Sequence, residues 1–129
     1  MRLFILASLA IAAVALPALA QEVPHVHKQD LHAIDYPSGH QTLMVRTTID
    51  PHATMPPHTH PGIEAGYVLQ GTAVLKVDGH PDETVKAGGG FIVPPHALHS
   101  VVNTGGTPLV VLTNYVVEAG KPLIDLATK

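Results

Sequence analysis

The chain has 129 residues, of which 46% are hydrophobic and 13% charged, with a formal net charge of −3 and no cysteine. That composition suits one globular domain with an adequate core; it excludes a disordered tail protein, a disulfide framework and, with no basic run, an electrostatic nucleic-acid binder. Aromatics are only 4% and Trp is missing, so Val, Leu, Ile and Ala must fill the core, while 12 Pro and 11 Gly mark many turns.

Met1 to Ala20 stands apart. Arg2 is its only charge, Leu3 to Leu16 is almost wholly apolar, and Ala18-Leu19-Ala20 supplies small residues at the cleavage positions. Residues 1–20 therefore read as a signal peptide, and residues 21–129 as a single mature domain that is periplasmic or secreted. The competing reading is an uncleaved anchor, since the apolar run approaches the ~20 residues of a spanning helix. Cleavage removes Arg2, which leaves 6 basic against 10 acidic residues and a net charge of −4. Such a chain is repelled by anionic lipid, so neither a membrane nor nucleic acid is expected as a partner of the mature protein.

Gln21 to Asp35 is polar and without period, an arm or a first edge strand. Its His25 and His27 lack a following Glu at the right distance and read as exposed histidines. Tyr36-Pro37-Ser38-Gly39 signals a turn. From His40 to Asp50, Leu43, Val45, Thr47 and Ile49 alternate with Thr42, Met44, Arg46 and Thr48, the period of a half-buried strand. Arg46 shares a face with Met44. If that face is interior, Arg46 is a substrate-carboxylate ligand; if exterior, an ordinary surface charge.

Asp50-Pro51-His52 and Pro56-Pro57 frame a loop that delivers the chain to His58, and Pro61-Gly62 bends it again. Strands are expected at Tyr67 to Leu69, Thr72 to Val77, Glu83 to Lys86, Phe91 to Val93 and Leu98 to Val102, with a long apolar one at Pro108 to Val117. Asp78-Gly79 signals a two-residue hairpin. No helix-period segment of useful length follows Ala20. Short antiparallel strands between Gly/Pro turns mean an all-β sandwich or barrel.

Within that frame the chemistry concentrates in one stretch. Side chains two apart on an extended chain share a face, so His58 and His60 project together while Thr59 points away. Glu64 follows four positions later, within reach of the same space, and His99 offers a further nitrogen. Imidazole and carboxylate without thiolate favour one divalent transition metal, namely Fe, Mn, Ni, Co, Zn or Cu(II). Open coordination positions then mark a catalytic or ligand-binding site, because structural zinc sites are closed by protein donors.

His58-x-His60-x3-Glu64-x6-Gly71 resembles the first motif of the cupin superfamily, and Gly88-x5-Pro94-x4-His99-x3-Asn103 resembles the second. Two positions depart from the pattern: His52 and His96 stand where the motifs normally carry glycine. The sixteen residues 72–87 between Gly71 and Gly88 are similar in length to the spacer of the small single-domain microbial members. The resemblance implies a cupin-type β-barrel (a small jelly roll), metal ligation by His58, His60, Glu64 and His99, and a homodimer, which apolar edge strands also favour. Glu64 has a possible second role as catalytic general base. His96, Arg46, His52 and Gln70 are the candidates for substrate contact or for hydrogen bonding behind the ligands, and Tyr67, turned to the face opposite Glu64, reads as packing. The functional expectation is an exported metal-dependent enzyme acting on a small oxygenated molecule by dioxygenase-like, isomerase or lyase chemistry. The alternative is a non-catalytic module that captures a metal or a small ligand.

Overall fold

The structure, a computed structural model, describes residues 22–128, so the signal-peptide reading of Met1 to Ala20 lies outside the described residues. Their strands are β1 (Val26–Ile34), β2 (His40–Ile49), β3 (Thr54–Thr59), β4 (Gly62–Gln70), β5 (Thr72–Val77), β6 (Glu83–Lys86), β7 (Gly90–Val93), β8 (His99–Asn103), β9 (Leu109–Glu118) and β10 (Asp125–Leu126). They form two five-stranded sheets, ordered β1-β2-β9-β4-β7 and β10-β3-β8-β5-β6. Every pairing is antiparallel. This is the expected all-β jelly roll, and no helix among the described residues is long and apolar enough to cross a membrane.

Of the two readings of Gln21 to Asp35 the edge strand holds: Val26 to Ile34 pairs along its length with β2, from Val26↔Ile49 to Ile34↔Thr42. Three local expectations change. Pro56-Pro57 lies inside β3, not in a loop, because the β3–β8 register shifts between Met55 and His58, where two residues without an N–H interrupt no ladder bond. β4 starts at Gly62, so Glu64 stands on a regular strand; a Cβ at Gly62 would lie 2.0 Å from the Val116 carbonyl oxygen, which is why glycine is needed there. Asp78-Gly79 does turn the chain, with His80 N–H donating to the Val77 carbonyl at 3.0 Å. But β5 and β6 first pair at Leu75↔Glu83, so the connection is longer than a two-residue hairpin.

The core follows from strict alternation. On β9 the inward residues are Leu109, Val111, Thr113, Tyr115 and Val117, and on β2 they are Val45, Thr47 and Ile49, all buried. Ile49, Leu109 and Val111 join Met55, Val68, Leu75, Phe91, Val93 and Val101 in the larger apolar cluster. Val45, Tyr115 and Val117 form a smaller one. Each fully buried Val, Leu or Ile contributes roughly 1.5–3 kcal/mol. Along β2 and β9, Thr47 and Thr113 fall between the two clusters, and the polar site occupies that level of the barrel.

Candidate metal centre

Both sheets contribute donors. His58 and His99 are directly opposed across β3 and β8, His60 follows β3, and Glu64 comes from β4 in the other sheet. All four are buried, with 2–6% of their surface exposed. The three histidines each offer a ring nitrogen, and these nitrogens lie within 4.8 Å of one another. Glu64 Oε2 sits 3.1 Å from His60 Nε2 and 3.0 Å from His99 Nε2.

Backbone carbonyls set the tautomers. His58 Nδ1 lies 2.7 Å from the Pro56 oxygen, His60 Nδ1 2.6 Å from that of Leu123, and His99 Nδ1 2.9 Å from that of Ala97. A carbonyl only accepts, so each Nδ1 carries the proton and each Nε2 is left to ligate or to be protonated in turn. His60 Nε2 has no hydrogen-bond partner despite its complete burial and its closeness to Glu64. A lone-pair nitrogen facing a carboxylate oxygen in a buried space is repulsive unless a proton or a metal cation lies between them. This orphaned atom, with Nδ1–carbonyl bonds of the kind that orient metal-ligating histidines, is what a divalent ion would satisfy. Three buried histidines could thus bind a metal.

Charge within the cluster is polarised. Burial pushes His58 down to about 3, with the neighbouring His99 adding to the effect. Burial opposes ionising Glu64, but the contacts from His60 and His99 outweigh it and hold the carboxyl at about 2. Burial also disfavours the charged form of His99, yet the bond to Glu64 wins and raises its pKa. Tyr115 OH donates to Glu64 Oε1 at 3.4 Å; burial, then the Glu64 charge, push its pKa well above the usual phenol value.

In front of His58, Glu64 and His99 lies a cavity of about 30 Å³ whose walls include Ile49, Met55, Phe91, Val101 and Val111, room for roughly two waters. The other expected site residues do not line it. Arg46 and Met44 are exposed on the outer face of β2, where alternation sends the residues between Val45, Thr47 and Ile49. His52 is exposed; His96 is exposed, its ring 3.5 Å from Glu118, though its N–H bonds the His60 carbonyl at 3.0 Å. Gln70 donates to the Pro108 carbonyl at 3.1 Å at an exposed position, and Tyr67 is 48% exposed on the outer face. Sequence reasoning missed Lys28, Tyr115 and Phe91, all on the cavity wall. Counting by twos from Leu109 finds Tyr115; for Lys28 no local signal existed, because its strand had no visible period.

Residues 45–117 match the family described as the cupin domain. Auxin-binding protein ABP19a of Prunus persica is 31% identical over 123 residues, 91% of this chain and 54% of its own length, so the chain spans about half of that relative. Similar folds include the DMSP lyase DddQ of Ruegeria pomeroyi DSS-3 (TM-score 0.68, 20% identity, 80% of this chain and 52% of that one). Oxalate oxidase in complex with the substrate analogue glycolate gives a TM-score of 0.66 at 24% identity, covering 81% and 57%. The polyketide cyclase RemF of Streptomyces resistomycificus gives 0.65 at 20% identity, covering 82% and 73%.

Proposed function

The chain belongs to the cupin family, and on that footing we propose that His58, His60, Glu64 and His99 hold one divalent transition metal and that the protein is an exported enzyme acting on a small oxygenated molecule. The observation that carries this reading is the tautomer pattern: three Nδ1 atoms bound to carbonyls leave three ring nitrogens clustered within 4.8 Å, those of His60 and His99 against the Glu64 carboxylate, and His60 Nε2 is left without a hydrogen-bond partner. The fold is shared with a DMSP lyase and an oxalate oxidase, and a metal centre with open positions suits dioxygenase-like, lyase and isomerase chemistry alike. Fe, Mn, Ni, Co, Zn and Cu(II) all suit the donor set.

The ion, when bound, supplies a Lewis acid and a means of lowering the pKa of a bound oxygen ligand. The chain's own residues do the rest. Apolar walls keep bulk water from the cavity, Tyr115 stays protonated and donates, and ionised Glu64 is the group able to take a proton from a bound ligand. Export is supported by the leader-like residues 1–20. A homodimer is supported by the outer face of the first sheet, where Ile63, Tyr67 and Ile92 are exposed.

A second reading, a non-catalytic metal- or ligand-binding cupin, draws support from the apolar wall and from a relative named as a binding protein. Elemental analysis of the purified chain, with oxygen-uptake and ligand-binding screens, tests both. The expected result is about one equivalent of transition metal, lost with all activity in His58→Ala. Metal content and activity that survive the substitution would refute the site; metal without any turnover would favour the second reading.

A further inference from the structure

Lys28 lies outside the family match, which begins at residue 45, yet it lines the same cavity as His58, Glu64 and His99. Its placement follows from register. Lys28 is directly opposite Thr47 across β1 and β2, and cross-strand partners share a face of the sheet. Thr47 is buried and on the cavity wall. Lys28 is surface-exposed as a residue and still part of the cavity wall, and burial lowers its pKa against the opposing charges of Glu64 and Asp30.

Among the described residues Lys28 has no carboxylate within ion-pair distance, unlike Lys76, 3.0 Å from Asp82, and Lys121, paired with Glu118. It is also, among the described residues, the single Lys or Arg on the cavity wall. The strand that carries it is fastened at its start. His25 Nδ1 and His27 Nε2 lie 3.2 and 3.0 Å from the two oxygens of Asp50, and the Asp50 N–H donates to the His25 carbonyl at 3.0 Å. A lysine on the wall of a largely apolar cavity, with no described carboxylate within ion-pair distance, calls for an anion. The small volume and hydrocarbon walls favour a compact planar anion on a short carbon body over a phosphate ester.

We propose that Lys28 is the anion anchor of this cavity and that its ligand is a small organic carboxylate. This rests on the metal-site reading for the ligand's other end. The test loads the mature chain with Co(II) and titrates it with acetate and with acetamide, which are nearly isosteric and differ in charge. Binding is followed by the cobalt absorption bands and by calorimetry. In Lys28→Met the preference for acetate should shrink by about tenfold at unchanged cobalt content, with Lys28→Arg retaining most of it. An undiminished preference in Lys28→Met, or none in wild type, overturns the proposal. Should wild type take up no metal, the reading of the centre fails, and thermal shift of the metal-free chain by acetate decides Lys28 separately. A shift present in wild type and lost in Lys28→Met sustains the anchor; a shift absent or unchanged removes it.

Discussion

His52 and His96 hold left-handed backbone, with φ of 62° and 61°, a region that costs a residue with a Cβ about 1–2 kcal/mol and that His tolerates better than most. These are the two places where the cupin motifs normally carry glycine, so the turns keep the glycine conformation without the glycine. His96→Gly should therefore raise stability by about 0.5–1 kcal/mol in urea denaturation and leave metal uptake unchanged, whereas His96→Val should lower stability. At the centre, His58 and Glu64 are depressed to about 3 and about 2 from unfolded values of 6.5 and 4.5. The unfolded metal-free chain thus takes up a proton at His58 below pH 6.5, and at Glu64 below 4.5, before the folded chain does. Stability from both groups is present above those values and lost as pH falls toward 3 and 2. His99, with a raised pKa, acts oppositely and loses its contribution as pH rises above 6.5. Denaturation of metal-free protein should show stability falling from pH 6.5 to 5, and His58→Gln should flatten that fall.

Elements are held in place by a few side chains that never meet a ligand. Asn103, 1% exposed at the end of β8, donates to the carbonyls of Ile49, Asp50 and Thr107 at 3.1, 3.1 and 2.8 Å and accepts from the Gly105 N–H at 3.0 Å. It ties β8, β2 and the turn before β9 into one unit. Asn103→Leu strands several buried backbone groups and should cost about 2–4 kcal/mol by chemical denaturation. Between β4 and β7 the fit is steric. A Cβ at Gly66 would lie 2.2 Å from Phe91 Cζ, and Phe91 is part of the cavity wall. Gly66→Ala should destabilise by about 1–3 kcal/mol and change acetate affinity through the displaced ring, without altering metal content.

At the scale of the whole molecule, a metal bound only by the folded chain stabilises it by mass action, about 4 kcal/mol at a thousandfold excess over Kd. Chelation should accordingly lower the melting temperature of wild type, and His60→Ala, which also loses a buried side chain, should melt lower still and show no change with added metal or chelator. The outer face of the first sheet sets the assembly prediction. Ala65 is opposite both Ile92 and Asn114, and Tyr67 opposite Leu112, so apolar side chains run together across β4, β7 and β9. Ile92→Lys should shift a dimer to monomer in light scattering while leaving metal content intact.

Period-two alternation and turn residues made most of this barrel legible in the chain itself. β2, β5 and β6 fall where the pattern of Leu43, Val45, Thr47 and Ile49 and its counterparts put them, because the pleat sends alternate residues to opposite faces whatever the partner strand is. The motif spacing likewise marked His58, His60, Glu64 and His99 as one group. What alternation does not carry is register and partnership. It did not reveal that Pro56-Pro57 sits in a bulge of β3, did not decide between arm and edge strand for the polar segment that becomes β1, and did not show that Arg46 faces outward while Lys28 reaches the cavity. Those outcomes depend on contacts between residues far apart in the chain: which strand lies beside which, and where the walls of the barrel close.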